Sequence, residues 1–144
     1  MSATPSNIED QLRRDEGEKL SVYQDSLGFY TIGIGVLIDA RKGGGITKEE
    51  SSYLFQNRLK QKEADLAKRW PHYSKLDPVR KAVLLNMSYQ MGVDGVLGFR
   101  NTLQMIETGR YEQAAAGMLN SKWAVQTPAR AKRLSEQMRT GKWQ

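Results

Sequence analysis

Cysteine is absent from the 144 residues, and histidine occurs once, as His72. The first absence removes disulfides, thiolate metal ligands and thiol nucleophiles together, and makes the fold indifferent to the redox state of its compartment. The second removes histidine-rich metal sites, and any serine–histidine–aspartate triad would have to be built on His72. No run approaches 18 apolar residues, so no stretch reads as a transmembrane helix. Met1-Ser2-Ala3-Thr4-Pro5 has neither a charged start nor an apolar core and is not read as a signal peptide. The expectation is a soluble cytoplasmic species that another agent must release if it acts elsewhere. Arg41-Lys42-Gly43-Gly44-Gly45 reads as a flexible loop. It is no phosphate cradle, since no Lys-Ser or Lys-Thr follows, and Gly33-x-Gly35 lacks the third glycine of a dinucleotide fingerprint. There is no internal repeat, low-complexity segment or heptad array.

What is present in excess is positive charge. The net charge is +6, and six basic residues stand against the single acid Glu136 between Lys122 and Gln144. Such a surface suits a polyanion: nucleic acid, anionic lipid or a cell-wall polymer. It is also compatible with an inert basic surface. At this length folding buries roughly 68–70% of the unfolded chain's surface, so one domain or two small lobes need no covalent staple.

Along the chain, Ser6-Asn7-Ile8-Glu9 fits a capping box, with Ser6 as N-cap and Glu9 reaching back. Ile8 and Leu12 share a face and Gly17 is a stop, so a helix is predicted from about Asn7 to about Asp15. Glu16 then sits at its C-terminal end, where the helix dipole disfavours a negative charge and suits a proton donor. A hairpin follows. Leu20, Val22 and Tyr23 are β-prone, Asp25-Ser26-Leu27-Gly28 has turn chemistry, and Phe29 to Val36 alternates. Period two places Thr31, Gly33 and Gly35 on one face and Ile32, Ile34 and Val36 on a core-facing side. The two glycines would let a bulky polymer approach the backbone, or would mark bulges or bends.

Thr47-Lys48-Glu49-Glu50 is a second capping box, and the helix after it should reach about Arg69. Its apolar stripe (Leu54, Phe55, Leu59, Leu66) is thin, as in a helix that links two lobes through solvent; a plain surface helix is the alternative. Trp70-Pro71 ends it, and His72 falls in a linker with a surface or capping role. Asp77-Pro78 starts a helix that is apolar nearly all round (Val83, Leu84, Leu85, Met87) and is predicted to end at Gly92. Short helices follow, broken at Gly98 and Gly109, with Ala114-Ala115-Ala116 allowing close packing. Thr127-Pro128 opens a last helix that Gly141 closes. The fold class is therefore α+β and mostly α: a small hairpin-containing N-terminal lobe and an all-helical C-terminal lobe joined by a long helix.

Glu16, Asp25 and Thr31 lie nine and six residues apart. Paired carboxylates suit glycosidic cleavage, one protonating the departing oxygen and the other helping a water attack or itself attacking. A threonine hydroxyl can hold that water by accepting and donating hydrogen bonds. The segment Arg14-Asp15-Glu16-Gly17, followed by Val22-Tyr23-Gln24-Asp25-Ser26-Leu27-Gly28-Phe29-Tyr30-Thr31-Ile32-Gly33-Ile34-Gly35, resembles the catalytic segment of the T-even bacteriophage lysozymes, or endolysins. The family's spacing of Glu, eight residues, Asp, five residues, Thr is met in full. Asn86-Met87-Ser88-Tyr89-Gln90-Met91-Gly92 resembles the end of the family's central helix. Lys122-Trp123, Gln126-Thr127-Pro128-Ala129-Arg130-Ala131-Lys132-Arg133 and Arg139-Thr140-Gly141-Lys142-Trp143 resemble its C-terminal block.

The resemblance implies one lysozyme-like domain over 1–144, with a small α+β lobe over 14–55, a connecting helix over 48–69, and a helical lobe over 70–144 against which 1–13 packs. It implies an inverting muramidase acting on the β-1,4 bond between N-acetylmuramic acid and N-acetylglucosamine in peptidoglycan, ending in lysis of the host cell. Glu16 is then the general acid, and Asp25 and Thr31 position the water. The carboxyls are expected about 6.5–9.5 Å apart. Leu37, Tyr89 and Thr102, with Gln90 beside them, match saccharide-cleft positions. Arg130 matches an arginine that pairs with the catalytic glutamate, and Arg133 one that pairs with Asp15. No metal or cofactor is called for. The expected partner is peptidoglycan, with outer-membrane lipopolysaccharide as a further target of the basic C-terminal helix. A monomer is expected, held in the host cytoplasm until release to the periplasm. Val36 stands where the family's familiar member has histidine, Gly117 where it has a cleft asparagine, and the loop Asp39–Gly45 is shorter. Other readings are a catalytically silent peptidoglycan-binding protein on the same scaffold and, from charge alone, a nucleic-acid-binding helical module; no nucleic-acid motif accompanies that charge.

Overall fold

The computed structural model describes residues 4–38 and 44–144. Met1-Ser2-Ala3 and positions 39–43 of the predicted flexible loop lie outside the described residues. By their internal contacts the residues fall into two units, Met1–Leu54 and Phe55–Gln144.

The first unit opens with α1, Ile8–Glu16, closed by Gly17, whose N–H donates to Arg13 O. The cap is one residue later than the sequence predicts. Asn7 Oδ1 accepts from the Asp10 N–H at 2.8 Å, and Asn7 Nδ2 donates to Asp10 Oδ2 at 3.1 Å. Glu9 instead pairs with Arg13 at 2.7 Å. Asparagine caps at least as well as serine, and a glutamate one turn before an arginine has a better partner than a backbone N–H.

Strands β1 (Lys19–Gln24), β2 (Tyr30–Gly33) and β3 (Val36–Leu37) form an antiparallel sheet in that order. Here the predicted single strand from Phe29 to Val36 is corrected. Ile32 pairs with Val36 and Thr31 with Leu37, so the chain reverses over Gly33-Ile34-Gly35. Both glycines have left-handed φ, +64° and +62°. An alternating pattern cannot distinguish one long strand from two short arms when the residues between them are glycines free to adopt positive φ. The bend reading of Gly33 and Gly35 is the one the backbone adopts, and Ile32 and Val36 are exposed rather than core.

Helix α2 runs Lys48–Arg69, about 33 Å at 1.5 Å per residue. Its capping box closes as expected: Glu50 N–H donates to Thr47 Oγ1 at 3.1 Å and Thr47 N–H to Glu50 Oε1 at 2.9 Å. The boundary between the units falls inside it, and Leu66 alone of its residues is buried.

After a 3₁₀ turn, Pro71–Lys75, the second unit contains α3 (Pro78–Leu97), α4 (Arg100–Glu107), α5 (Tyr111–Leu119), α6 (Lys122–Gln126) and α7 (Pro128–Thr140). Asp77 caps α3 through the Arg80 N–H, with Pro78 in its first turn. The helix does not stop at Gly92; it kinks there, at φ 81°, and resumes to Leu97. Val93 and Val96 bury on the resumed turn, which gives the chain reason to coil again. His72 lies in the 3₁₀ turn with its ring 5.3 Å from that of Trp70.

The core is drawn from every helix of this unit: Leu66, Val83, Leu84, Met87, Ile106, Met118, Trp123, Leu134 and Met138 among others. Helix α5 packs on α7 and α4, and its small faces Ala114 and Ala115 are buried. Two edge contacts are polar. Trp70 Nε1 donates to Glu107 Oε1 at 2.6 Å, and Tyr73 Oη to Glu63 Oε2 at 2.5 Å. Burial, then that bond, pushes the Tyr73 phenol above its ordinary value. Arg80 closes the end of α7. Its guanidinium lies 3.7 Å over the Tyr111 ring and donates to Met138 O and Arg139 O, while Asp77 takes another N–H. Carbonyls that the helix leaves without amide partners are thereby satisfied.

One buried polar atom of the described residues has no partner, Ser135 Oγ on α7. A hydroxyl taken out of water without a bond is a net cost. Ser135→Ala is expected to raise stability by about 1 kcal/mol, or a melting temperature increase of about 2–4 °C. Thermal melts of the two proteins check it, and a lower melting temperature for the alanine variant would show that the hydroxyl is satisfied.

Candidate active site

In the first unit two of the polar residues singled out by sequence, Asp25 and Thr31, are bonded to the backbone of one residue, Phe29. Asp25 sits in the β1–β2 turn. Its Oδ1 accepts from the Leu27 N–H and the Phe29 N–H, both at 2.9 Å. Its own N–H donates to Phe29 O at 2.9 Å. Thr31 Oγ1 donates to the same Phe29 O at 3.2 Å. The backbone of Phe29 therefore holds Asp25 at one end and Thr31 at the other. Aspartate favours such turns because its short carboxylate reaches amides two and more residues ahead. Asp25 is half-buried and Thr31 is 4% exposed, the one buried side chain among the described residues of this unit. With its hydrogen committed to Phe29 O, Thr31 offers only lone pairs to a further partner. Leu37, on β3, stands directly opposite Thr31 in the sheet register and is exposed.

Glu16 reaches the same hairpin from the other side. It is the last residue of α1, and three residues later the chain enters β1, whose Lys19 pairs with Gly33. That register brings the helix end to the β2–β3 reversal. The Glu16 carboxyl lies against Gly35: a methyl group built on that glycine would be 2.7 Å from Oε2 and 3.1 Å from Cδ. Asp15 is met by its neighbour, with Arg14 Nε 3.0 Å from its Oδ1. Among the described residues no ion pair involves Glu16.

The other predicted site residues belong to the second unit. Tyr89 makes an edge-to-face contact with Phe55, at 5.5 Å between ring centres, and lines an apolar groove with Leu59, Leu85, Asn86 and Arg130. Gln90 Oε1 accepts from Trp123 Nε1 at 2.9 Å. Thr102 is buried beside Gly117 at the wall of a 580 Å³ cleft that also takes in Arg100, Asn101 and Asn120. Arg130 donates through Nε and Nη2 to Asn86 Oδ1 at 3.0 and 2.6 Å. Arg133 lines a groove of 430 Å³ with Arg130, Gln137 and Trp143.

Residues 13–139 match the family model described as Phage lysozyme. This chain belongs to the phage lysozyme family. It is a glycoside hydrolase of the lysozyme class. It is 36% identical to "Probable T4-type lysozyme 1" of Dictyostelium discoideum, over 94% of this chain and 95% of that protein. It is 35% identical to the "Pre-baseplate central spike protein Gp5" of Enterobacteria phage T4, over 94% of this chain and 28% of that protein. A third relative, "Peptidoglycan hydrolase gp36" of Pseudomonas phage phiKMV, is 30% identical over 92% of this chain and 15% of its own length. The described residues of this phage lysozyme include no helix long and apolar enough to cross a membrane.

Two participants escape sequence reading. The Phe29 peptide acts through its backbone, which no residue type reveals. Asn86, the partner of Arg130, stands on α3 directly after the apolar run Ala82–Leu85, and nothing in its residue type names that partner. The clamp at Asp25 separates geometry from charge. Asp25→Asn keeps an Oδ1 acceptor and should leave the amides of Leu27 and Phe29 protected from hydrogen exchange. Asp25→Ala removes it, should expose both amides, and should cost about 1–2 kcal/mol. Exchange rates that are equal in the two variants would show that the clamp does not hold the turn.

Proposed function

We propose that this phage lysozyme hydrolyses the β-1,4 bond between N-acetylmuramic acid and N-acetylglucosamine in bacterial peptidoglycan, with inversion, and that it serves to lyse the host cell. The observation that carries the reading is the seating of the Glu16 carboxyl against the β2–β3 reversal of the same small sheet whose β1–β2 turn ties Asp25 to Thr31. The printed name of the phiKMV relative, a peptidoglycan hydrolase, supports the substrate.

In the proposed reaction Glu16 gives its proton to the bridging oxygen as the bond from that oxygen to the muramic C1 breaks. A water held by Asp25 and Thr31 attacks C1 from the opposite face, and Asp25 takes its proton. Because the Thr31 hydrogen is engaged by Phe29 O, the water must donate to Thr31 as well as to the Asp25 carboxylate. Both its hydrogens then point back into the protein and an oxygen lone pair is left for the sugar. Leu37, Tyr89, Gln90 and Thr102 would bind the saccharide. Arg130 and Arg133 would support Glu16 and Asp15 electrostatically. The protein would work as a monomer, stored in the host cytoplasm and released to the wall.

The exposed cations Lys132, Arg133 and Lys142 support a further attraction to anionic wall polymers or lipopolysaccharide. Arg139 is neutralised by Glu136, whose carboxyl the guanidinium holds below the usual carboxylate range.

Incubation with purified peptidoglycan tests the whole reading. New muramic-acid reducing ends should form, initially as the α anomer, and Glu16→Gln should remove the activity by a factor of at least about 10² while leaving the fold intact by circular dichroism. Binding of the polymer without new ends would favour the catalytically silent reading. Initial β product would overturn inversion, and activity surviving in Glu16→Gln would remove Glu16 from its role.

A further inference from the structure

We propose that Gly35 is a positioning residue for Glu16, resting on the hydrolase reading above: its missing side chain is what seats the acid over the β2–β3 reversal. The two glycines of that reversal make the case by contrast. Their backbones are nearly alike, with φ +64° at Gly33 and +62° at Gly35. Their surroundings differ. A methyl group on Gly33 would meet nothing within 4 Å, whereas one on Gly35 would meet Glu16 Oε2 at 2.7 Å and Glu16 Cβ and Cδ at 3.1 Å. Gly33 is therefore explained by the turn alone. Gly35 is explained by the turn and by the carboxylate lying along it.

The closest crowding, at Oε2, falls on the end of a flexible side chain, and the contact with Glu16 Cβ at 3.1 Å asks for a shift of only a few tenths of an ångström, so a Cβ at Gly35 need not unfold the hairpin. It would turn Glu16 out of its seat. Nothing in this contact holds Thr31 or Asp25, whose bonds run through Phe29, just before β2. A substituted Gly35 should thus leave the water-holding pair in place while misplacing the proton donor. That is a fault in the chemical step rather than in sugar binding, because a displacement of about 1 Å in a catalytic group costs on the order of a hundredfold in rate.

The test compares Gly35→Ala with Gly33→Ala, which imposes the same positive-φ strain without the crowding. Gly35→Asn and Gly33→Asn form a second pair, since asparagine tolerates left-handed backbone better and preserves folding if alanine does not. Two readouts are taken: kcat and KM on soluble peptidoglycan fragments, and the side-chain carboxyl carbon resonance of Glu16 in the full-length protein. The expected result is a fall in kcat of about a hundredfold in the Gly35 variants with KM little changed, a moved Glu16 resonance, and neither effect in the Gly33 variants. Equal losses in both pairs, or an unmoved Glu16 resonance in the Gly35 variants, would overturn the proposal. If the wild-type protein releases no reducing ends, the hydrolase reading fails separately, and the resonance alone decides whether Gly35 seats Glu16.

Discussion

The backbone of Phe29 is the constraint on which the arrangement of Asp25 and Thr31 depends. Its N–H meets Asp25 Oδ1 and its carbonyl meets both the Asp25 N–H and the Thr31 hydroxyl. A carboxylate in a turn and a hydroxyl on a strand would ordinarily be free to move apart, since they are joined by six residues of chain. Here both are bonded to the backbone of one residue, Phe29, whose N–H and C=O lie on either side of a single Cα, so their separation is limited by that residue's backbone and two short side chains. This is how a small sheet with little buried surface can hold two groups in register.

The second unit is stabilised in another way. Its helices bury a continuous apolar cluster, and polar contacts at its edges take up groups that the packing leaves over. Arg80 shows the principle: stacked on Tyr111, it takes up the terminal carbonyls of α7 where no further amide is available. Tyr73 and Trp70 do the same work at the rim, each directing its polar atom to a glutamate while its ring fills the core. Side chains on the outer faces of such a unit are set by their neighbours, as Tyr89 is by Phe55 and Gln90 by Trp123.

Much of this was legible in the sequence because it is local. Thr47 with Glu50, Asp77 with Pro78, and Gly141 after a helical run each name a helix end within four residues, and each end is where it was expected. The spacing of Asp25 and Thr31 likewise pointed to two groups on one turn, and the backbone of Phe29 joins them. What failed was whatever depended on two competing local solutions. Ser6 and Asn7 can both cap α1, and the choice went to the residue whose amide could also return a bond to Asp10. Gly92 reads as a stop, yet the apolar residues after it repay a second start. The run from Phe29 to Val36 alternates as a strand should, and only the backbone freedom of two glycines decides that it folds back.

That reversal also explains why the hairpin and the helix end belong together. A continuous strand would have carried Gly35 some 13 Å beyond Thr31 at about 3.3 Å per residue. Folding back at Gly33 and Gly35 instead returns the chain so that Leu37 stands opposite Thr31, and it leaves the bend, not a strand end, beside Lys19 and the close of α1. Two glycines in left-handed conformation each weaken the folded state by roughly 0.5–1 kcal/mol relative to alanine in a regular strand. The positive φ of the reversal asks for glycine at both positions, and the second meets a further demand. The second is understandable once Glu16 is included, because any side chain there would occupy the space its carboxyl fills. The local cost of the turn and the location of the acid are thus one feature of the fold, and the sequence Gly-Ile-Gly records both.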